Sequence, residues 1–242
     1  MTHQADKRFA ILDTYRGFVI INMIAFHFLY DVFMAFGIDR TWYFQPVNRI
    51  WQQFICWSFI LLSGWVWPYG ASKALKRGIF LNFCGLIITA VTAIAMPSQI
   101  VIFGVLNFLG CAVLLVIPLE KLLKKLPSML GLIAFFALFI IFYYCNTWSI
   151  GIESILLIPI GFPTRGFFSS DYFSILPWFF FYVTGYYLGR MLENKKGFLR
   201  ISDVKIPVLD IIGRKSIWIY LIHQPLCYGI CLLLFRALQI EK

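Results

Sequence analysis

The sequence predicts an all-α, polytopic integral membrane protein: a bundle of about seven transmembrane helices, N-terminus inside and C-terminus outside. Three observations carry that reading. Of 242 residues, 61% are hydrophobic and only 13% are charged, and a water-soluble domain of this size cannot bury so much apolar surface. Apolar stretches near the ~20 residues needed to cross hydrocarbon recur between short polar breaks. The basic residues fall in those breaks, mostly on one side, as the positive-inside rule requires. The net charge of +10 therefore reads as membrane topology, and nucleic-acid binding is not expected.

In chain order the spans fall at roughly 9–36, 46–68, 76–96, 100–118, 129–146, 172–191 and 208–235. Gly37 to Arg40 ends the first, and Pro68, Tyr69 and Gly70 end the second. Met96, Pro97 and Ser98 form a hairpin, and Pro127 and Ser128 restart the fifth. With the N-terminus in the cytoplasm, sixteen of the 21 Lys and Arg face inward. Only Arg40, Arg49, Arg165, Arg236 and Lys242 face outward. The stretch 147–171 is apolar but broken by Gly and Pro, which suits a re-entrant or outer-surface segment. No internal repeat or second domain interrupts the chain, so 1–242 is expected to form one transmembrane domain. The first span is expected to stay in the mature protein, because Asp13 and Arg16 interrupt its start and no small-residue cleavage site follows. The six cysteines lie in apolar spans without a CxxC pair, so buried free thiols are expected, with no zinc site.

The first span also holds Asp13, Arg16, His27 and Asp31. At ~100° per residue these four fall within an arc of roughly 60°. Charged groups inside a bilayer are costly and mark function or a bundle interior. Asp31 lies one turn beyond His27, so an i,i+4 contact can orient the imidazole and raise its basicity. That arrangement serves a general base or a nucleophile; a structural polar network is the plainer alternative. Arg16 precedes His27 by roughly 16 Å along the helix, and stands i,i+3 from Asp13. His223, just before Pro225, can join the site with Tyr220 or can satisfy a carbonyl freed by the proline. Asn22 points away from the stripe, and Ser63, Gly64, Asn82 and Asn107 read as helix-packing residues. Lys73, Lys76 and Arg77, with Lys121, Lys124 and Lys125, serve topology and anionic lipid, or dock a phosphate-rich ligand. No Gly-rich phosphate loop supports nucleotide hydrolysis.

The opening RFAILDTYRGFVIINMIAFHFLYD resembles the first helix of the transmembrane acyltransferase superfamily, closest to the heparan-alpha-glucosaminide N-acetyltransferase catalytic-domain family. The related acyltransferase-3 family carries Arg, ten residues and His, a spacing that Arg16 and His27 match. FILLSG at 59–64, FGVLNFLGCAVLL at 103–115 and IGRKSIWIYLIHQPL at 212–226 are similar to family segments in the same order. Asn107 departs from the resemblance, since a His is expected there.

The resemblance implies transfer of an acetyl group from cytoplasmic acetyl-CoA to an amino sugar or other glycan outside, a carbohydrate acetylation without a metal. His27 is the implied base or acyl carrier and Asp31 its orienting group. Arg16, Lys73, Lys76, Arg77 and His223 are the expected contacts to the donor. The expected location is a plasma membrane, the inner membrane of a bacterial cell, with lipid contacts and either a monomer or a homo-oligomer. Two other classes fit the residues alone: a small transporter using His27 and Asp31 as a proton relay, and a b-type haem protein with His27 and His223 as axial ligands.

Overall fold

The computed structural model of the chain describes residues 9–144, 154–193, 195 and 204–238. Cys145 and the first part of the 147–171 stretch lie outside them. The described residues are helical, with no strand among them. The helices are α1 (Ala10–Tyr30), α2 (Pro46–Trp65), α3 (Trp67–Gly70), α4 (Ala74–Ala95), α5 (Val105–Leu123), α6 (Ser128–Tyr144), α7 (Ile175–Leu192), α8 (Pro207–Arg214) and α9 (Ser216–Ala237).

A long helix falls on each predicted span. Four segments are long and apolar enough to cross a membrane: Ala10–Ala35, Trp67–Ala95, Val105–Leu123 and Ser216–Ala237. Ser128–Tyr144 is a shorter apolar helix. In α2 the run is interrupted early by Asn48, Arg49, Gln52 and Gln53. Large apolar side chains such as Ile79, Phe83, Leu86, Ile94, Ile133 and Leu233 stand exposed, as on helices that face hydrocarbon.

Two boundaries differ from the sequence reading. The last predicted span is two helices, divided at Lys215, with Pro207 opening the first of them. The fourth starts later than expected, because Phe103 has a positive φ of 53° and Gly104 is extended. It then continues through Pro118 to Leu123.

The chain divides into two compact units, one holding residues 9–59 and 204–238 and the other 60–193. In the first, α1 is the centre. Gly17 meets the backbone of Leu209, and Gly213 meets the carbonyl of Asp13, so closely that a Cβ at either position would fall on a backbone oxygen. Small residues permit this helix approach, and it fixes α8 against the start of α1. Thr14 Oγ accepts the Ile206 N–H at 3.3 Å beside the same contact. Further along, Val19, Ile20, Met23, Phe26 and Ile55 form an apolar core. Two polar links join α1 to α2: Tyr15 OH with Ser58 Oγ at 2.8 Å, and Trp51 Nε1 donating to Asn22 Oδ1 at 3.1 Å.

In the second unit, α4 packs on α5 through Asn82 and Asn107, as expected. Asn107 Nδ2 donates to the Asn82 carbonyl at 3.3 Å, and Cys111 Sγ approaches Asn82 Oδ1 at 3.5 Å. The C-terminal end of α2 and α7 touch backbone to backbone at Gly64 and Gly185. Tyr187 OH and Arg190 both donate to the Leu123 carbonyl, at 2.9 and 3.2 Å, which satisfies an orphan acceptor at the end of α5.

The described part of the 147–171 stretch is irregular, with one 3₁₀ turn at Ile155–Leu157. It ends by lying along residues 99–105. Ser169 Oγ accepts the Ile102 N–H at 2.9 Å, and Asp171 Oδ2 accepts the Val105 N–H at 3.1 Å. Asp171 thus supplies an acceptor to a first-turn donor of α5. Loss of hydration lifts its carboxyl to about 6, against the opposing pull of the Val105 N–H.

Candidate active site

The candidate site grows out of the C-terminal half of α1. His27 lies in its last turn, and at Asp31 the helix widens into a π segment over Asp31–Ala35. The Phe36 N–H reaches back to the Asp31 carbonyl at 2.9 Å, an i+5 bond. Such widenings occur often at functional sites.

Asp31 is 1% exposed. A carboxylate buried to that extent needs donors, and α9 provides one. Gln224 Nε2 donates to Asp31 Oδ1 at 3.0 Å and reaches Oδ2 at 3.3 Å. The expected bond from His27 to Asp31 is not made; Gln224 occupies the carboxylate instead. The sequence reading missed this pairing because the two residues are 193 positions apart.

His27 meets a different partner. Its ring lies edge to face with His223, centroids 4.8 Å apart and planes at 67°. Phe26 supports the ring on another side at 6.1 Å. His223 is 7% exposed, and its Nδ1 sits 2.6 Å from the Tyr220 carbonyl. The imidazole takes that carbonyl rather than the Leu221 carbonyl one turn before Pro225. His223 Nε2 and Gln224 Oε1 are buried and make no hydrogen bond. The Tyr220 ring stands 5.3 Å from His223, which brings the tyrosine to the site as expected. The two thiols below, Cys227 and Cys231, face the Ile24 and Phe28 carbonyls at 3.9 and 4.0 Å.

The structure therefore joins His27, His223, Asp31 and Gln224 in one unit.

Arg16 stands at the other end of α1. Its Nη1 is 2.6 Å from Asp13 Oδ1, so the predicted i,i+3 pair forms. Lys73, Lys76 and Arg77 belong to the unit of residues 60–193. The two lysines are exposed, whereas Arg77 is half-buried and lies over the Trp67 ring at 5.8 Å. A second basic feature, not singled out from the sequence, lies at α8. Lys205, Arg214 and Lys215 line an open cleft of about 400 Å³ with Pro207, Asp210 and Ile211. Asp210 holds Arg214 at 2.7 Å across one turn. The run of charges flanking an amphipathic helix was the available signal, obscured by its assignment to a membrane span.

The family described as heparan-alpha-glucosaminide N-acetyltransferase, catalytic, matches residues 8–225 of the chain. No curated protein matches the chain, and no solved structure does.

Proposed function

From the heparan-alpha-glucosaminide N-acetyltransferase catalytic-domain family, to which this chain belongs, we propose an acetyl-CoA-dependent enzyme that works across the membrane. The family makes the protein a membrane N-acetyltransferase. The finer reading is that acetyl-CoA arrives from the cytoplasm and an amino sugar or related glycan is acetylated on the outer side. It includes seven spans in an N-in, C-out arrangement in a plasma membrane, as the charge bias supports.

The observation that carries this reading is His27, set against His223 beside the buried Asp31–Gln224 pair on a membrane helix. In the proposed reaction the acceptor amine attacks the thioester carbon. A C–N bond forms, the C–S bond breaks, and His27 takes the proton released from nitrogen. Asp31 contributes indirectly: it anchors α9 through Gln224 and so keeps the His223 side of the site in place. Arg16, one end of α1 away, meets the donor on the inner side. The phosphates of the donor engage Lys73, Lys76 and Arg77, or the Lys205–Arg214–Lys215 cleft; both are suited to charge-assisted contacts.

The test uses purified protein in detergent, with labelled acetyl-CoA and a panel of amino sugars. Acetylated sugar should form, and acetyl-CoA should raise the melting temperature, as a ligand of the native state must. Uptake into vesicles without acetyl-CoA consumption would replace the enzyme reading with transport.

A further inference from the structure

The sequence assigned His223 to the donor, but its surroundings fit another role. An imidazole at 2.6 Å from a carbonyl oxygen must donate from that nitrogen, because a carbonyl cannot donate. Nδ1 of His223 therefore carries the hydrogen. In a neutral ring the lone pair is then on Nε2. That Nε2 is buried, makes no hydrogen bond, and belongs to the ring that lies against His27. A buried acceptor without a donor is costly to keep unless it is used.

We propose that His223 Nε2 is the second station of a two-imidazole proton relay, receiving the proton that His27 takes from the acceptor. The proposal rests on the acetyl-transfer reading above. When the acceptor nitrogen bonds to the acetyl carbon, its proton passes to the lone-pair nitrogen of His27. His27 releases the hydrogen from its other ring nitrogen to His223 Nε2. His27 stays neutral, and His223 becomes an imidazolium whose Nδ1–H remains on the Tyr220 carbonyl. The thiolate released by C–S cleavage then takes the proton back by the same path and leaves as the thiol. No proton has to enter from or escape to bulk solvent during the transfer.

Two substitutions separate this role from a structural one. In His223→Asn the amide nitrogen occupies the position of Nδ1, so the bond to Tyr220 survives while the base at Nε2 is lost. This variant should fold, keep its acetyl-CoA thermal shift and lose ~10²–10⁴ in turnover. In His223→Ala, added imidazole should restore part of the rate. ¹⁵N NMR of the resting wild-type protein should show His223 protonated at Nδ1 and bare at Nε2. Wild-type turnover in His223→Asn, or a resting Nε2–H tautomer, overturns the relay while leaving acetyl transfer intact. Failure of the wild type to acetylate any amino sugar removes the relay together with the reading beneath it.

Discussion

The two compact units bury different things. The fully buried acids and histidine among the described residues, Asp13, Asp31, Asp210 and His223, belong to the unit of residues 9–59 and 204–238, while the unit of residues 60–193 holds the half-buried Asp171. The unit of residues 60–193 instead buries Trp67, Phe108, Phe139, Tyr182, Tyr186 and Tyr187, with Asn107, Ser174 and Thr184 as its polar interior. Burying ionisable groups costs far more than burying aromatic rings. The proposed chemistry sits on the helices where that cost is concentrated. The other unit is held by close helix approach and large apolar area.

The largest expected difference between the units is catalytic. His27→Ala should bind acetyl-CoA and lose ~10²–10⁴ in turnover, measured per folded molecule after size-exclusion chromatography. Asp31→Asn should lose less, because an amide can still pair with Gln224. Wild-type specific activity in folded His27→Ala would make the polar unit structural and erase the comparison.

Donor docking gives the next effect and sharpens it. Lys73→Ala with Arg77→Ala tests one unit, and Lys205→Ala with Lys215→Ala tests the other. A charge-assisted contact contributes ~1.5–3 kcal/mol, so the pair that holds the phosphates should weaken acetyl-CoA binding roughly tenfold or more. A titration calorimeter or thermal-shift series reads which pair responds. Loss at Lys205 and Lys215 alone would put the donor's phosphates in the same unit as the histidines.

Packing comes third. Gly17→Ala places a methyl on the Leu209 carbonyl, and overpacking of this kind costs ~1–3 kcal/mol. Gly229→Ala meets nothing within 4 Å and should gain ~0.5–1 kcal/mol of helix stability. Thermal melts in one detergent compare them; equal melting temperatures would show that the α1–α8 contact is not tight.

The pH-dependent effect belongs to Asp171. Its folded carboxyl is raised to about 6 from an ordinary 3.8. The folded state therefore binds more protons than the unfolded state between those values, and stability falls as pH rises through that window. Asp171→Asn keeps an acceptor for the Val105 N–H and should flatten the slope between pH 4 and 6. An unchanged slope would assign it to another group.

Much of this was legible in one dimension. Helix existence follows from apolar runs and Gly or Pro breaks, so α1, α2, α4, α5, α6, α7 and α9 lie where periodicity puts them. The polar stripe of α1 follows from the 3.6-residue turn, and its Asp13–Arg16 pair is local enough to predict. The resemblance added the family and its acetyl chemistry. The break at Lys215 was missed because α8 is apolar on one face and reads as part of a span.

What only the tertiary structure decided is the partner of each polar group. By sequence spacing Asp31 belongs to His27, since four residues make one turn. In space it belongs to Gln224, 193 positions away and within hydrogen-bond distance, and the His27 ring meets the His223 ring, because α9 packs along α1. Local spacing sets which groups share a face. The hydrogen bond itself goes to the donor that packing places within about 3 Å, and a single helix cannot specify what another helix will bring to it.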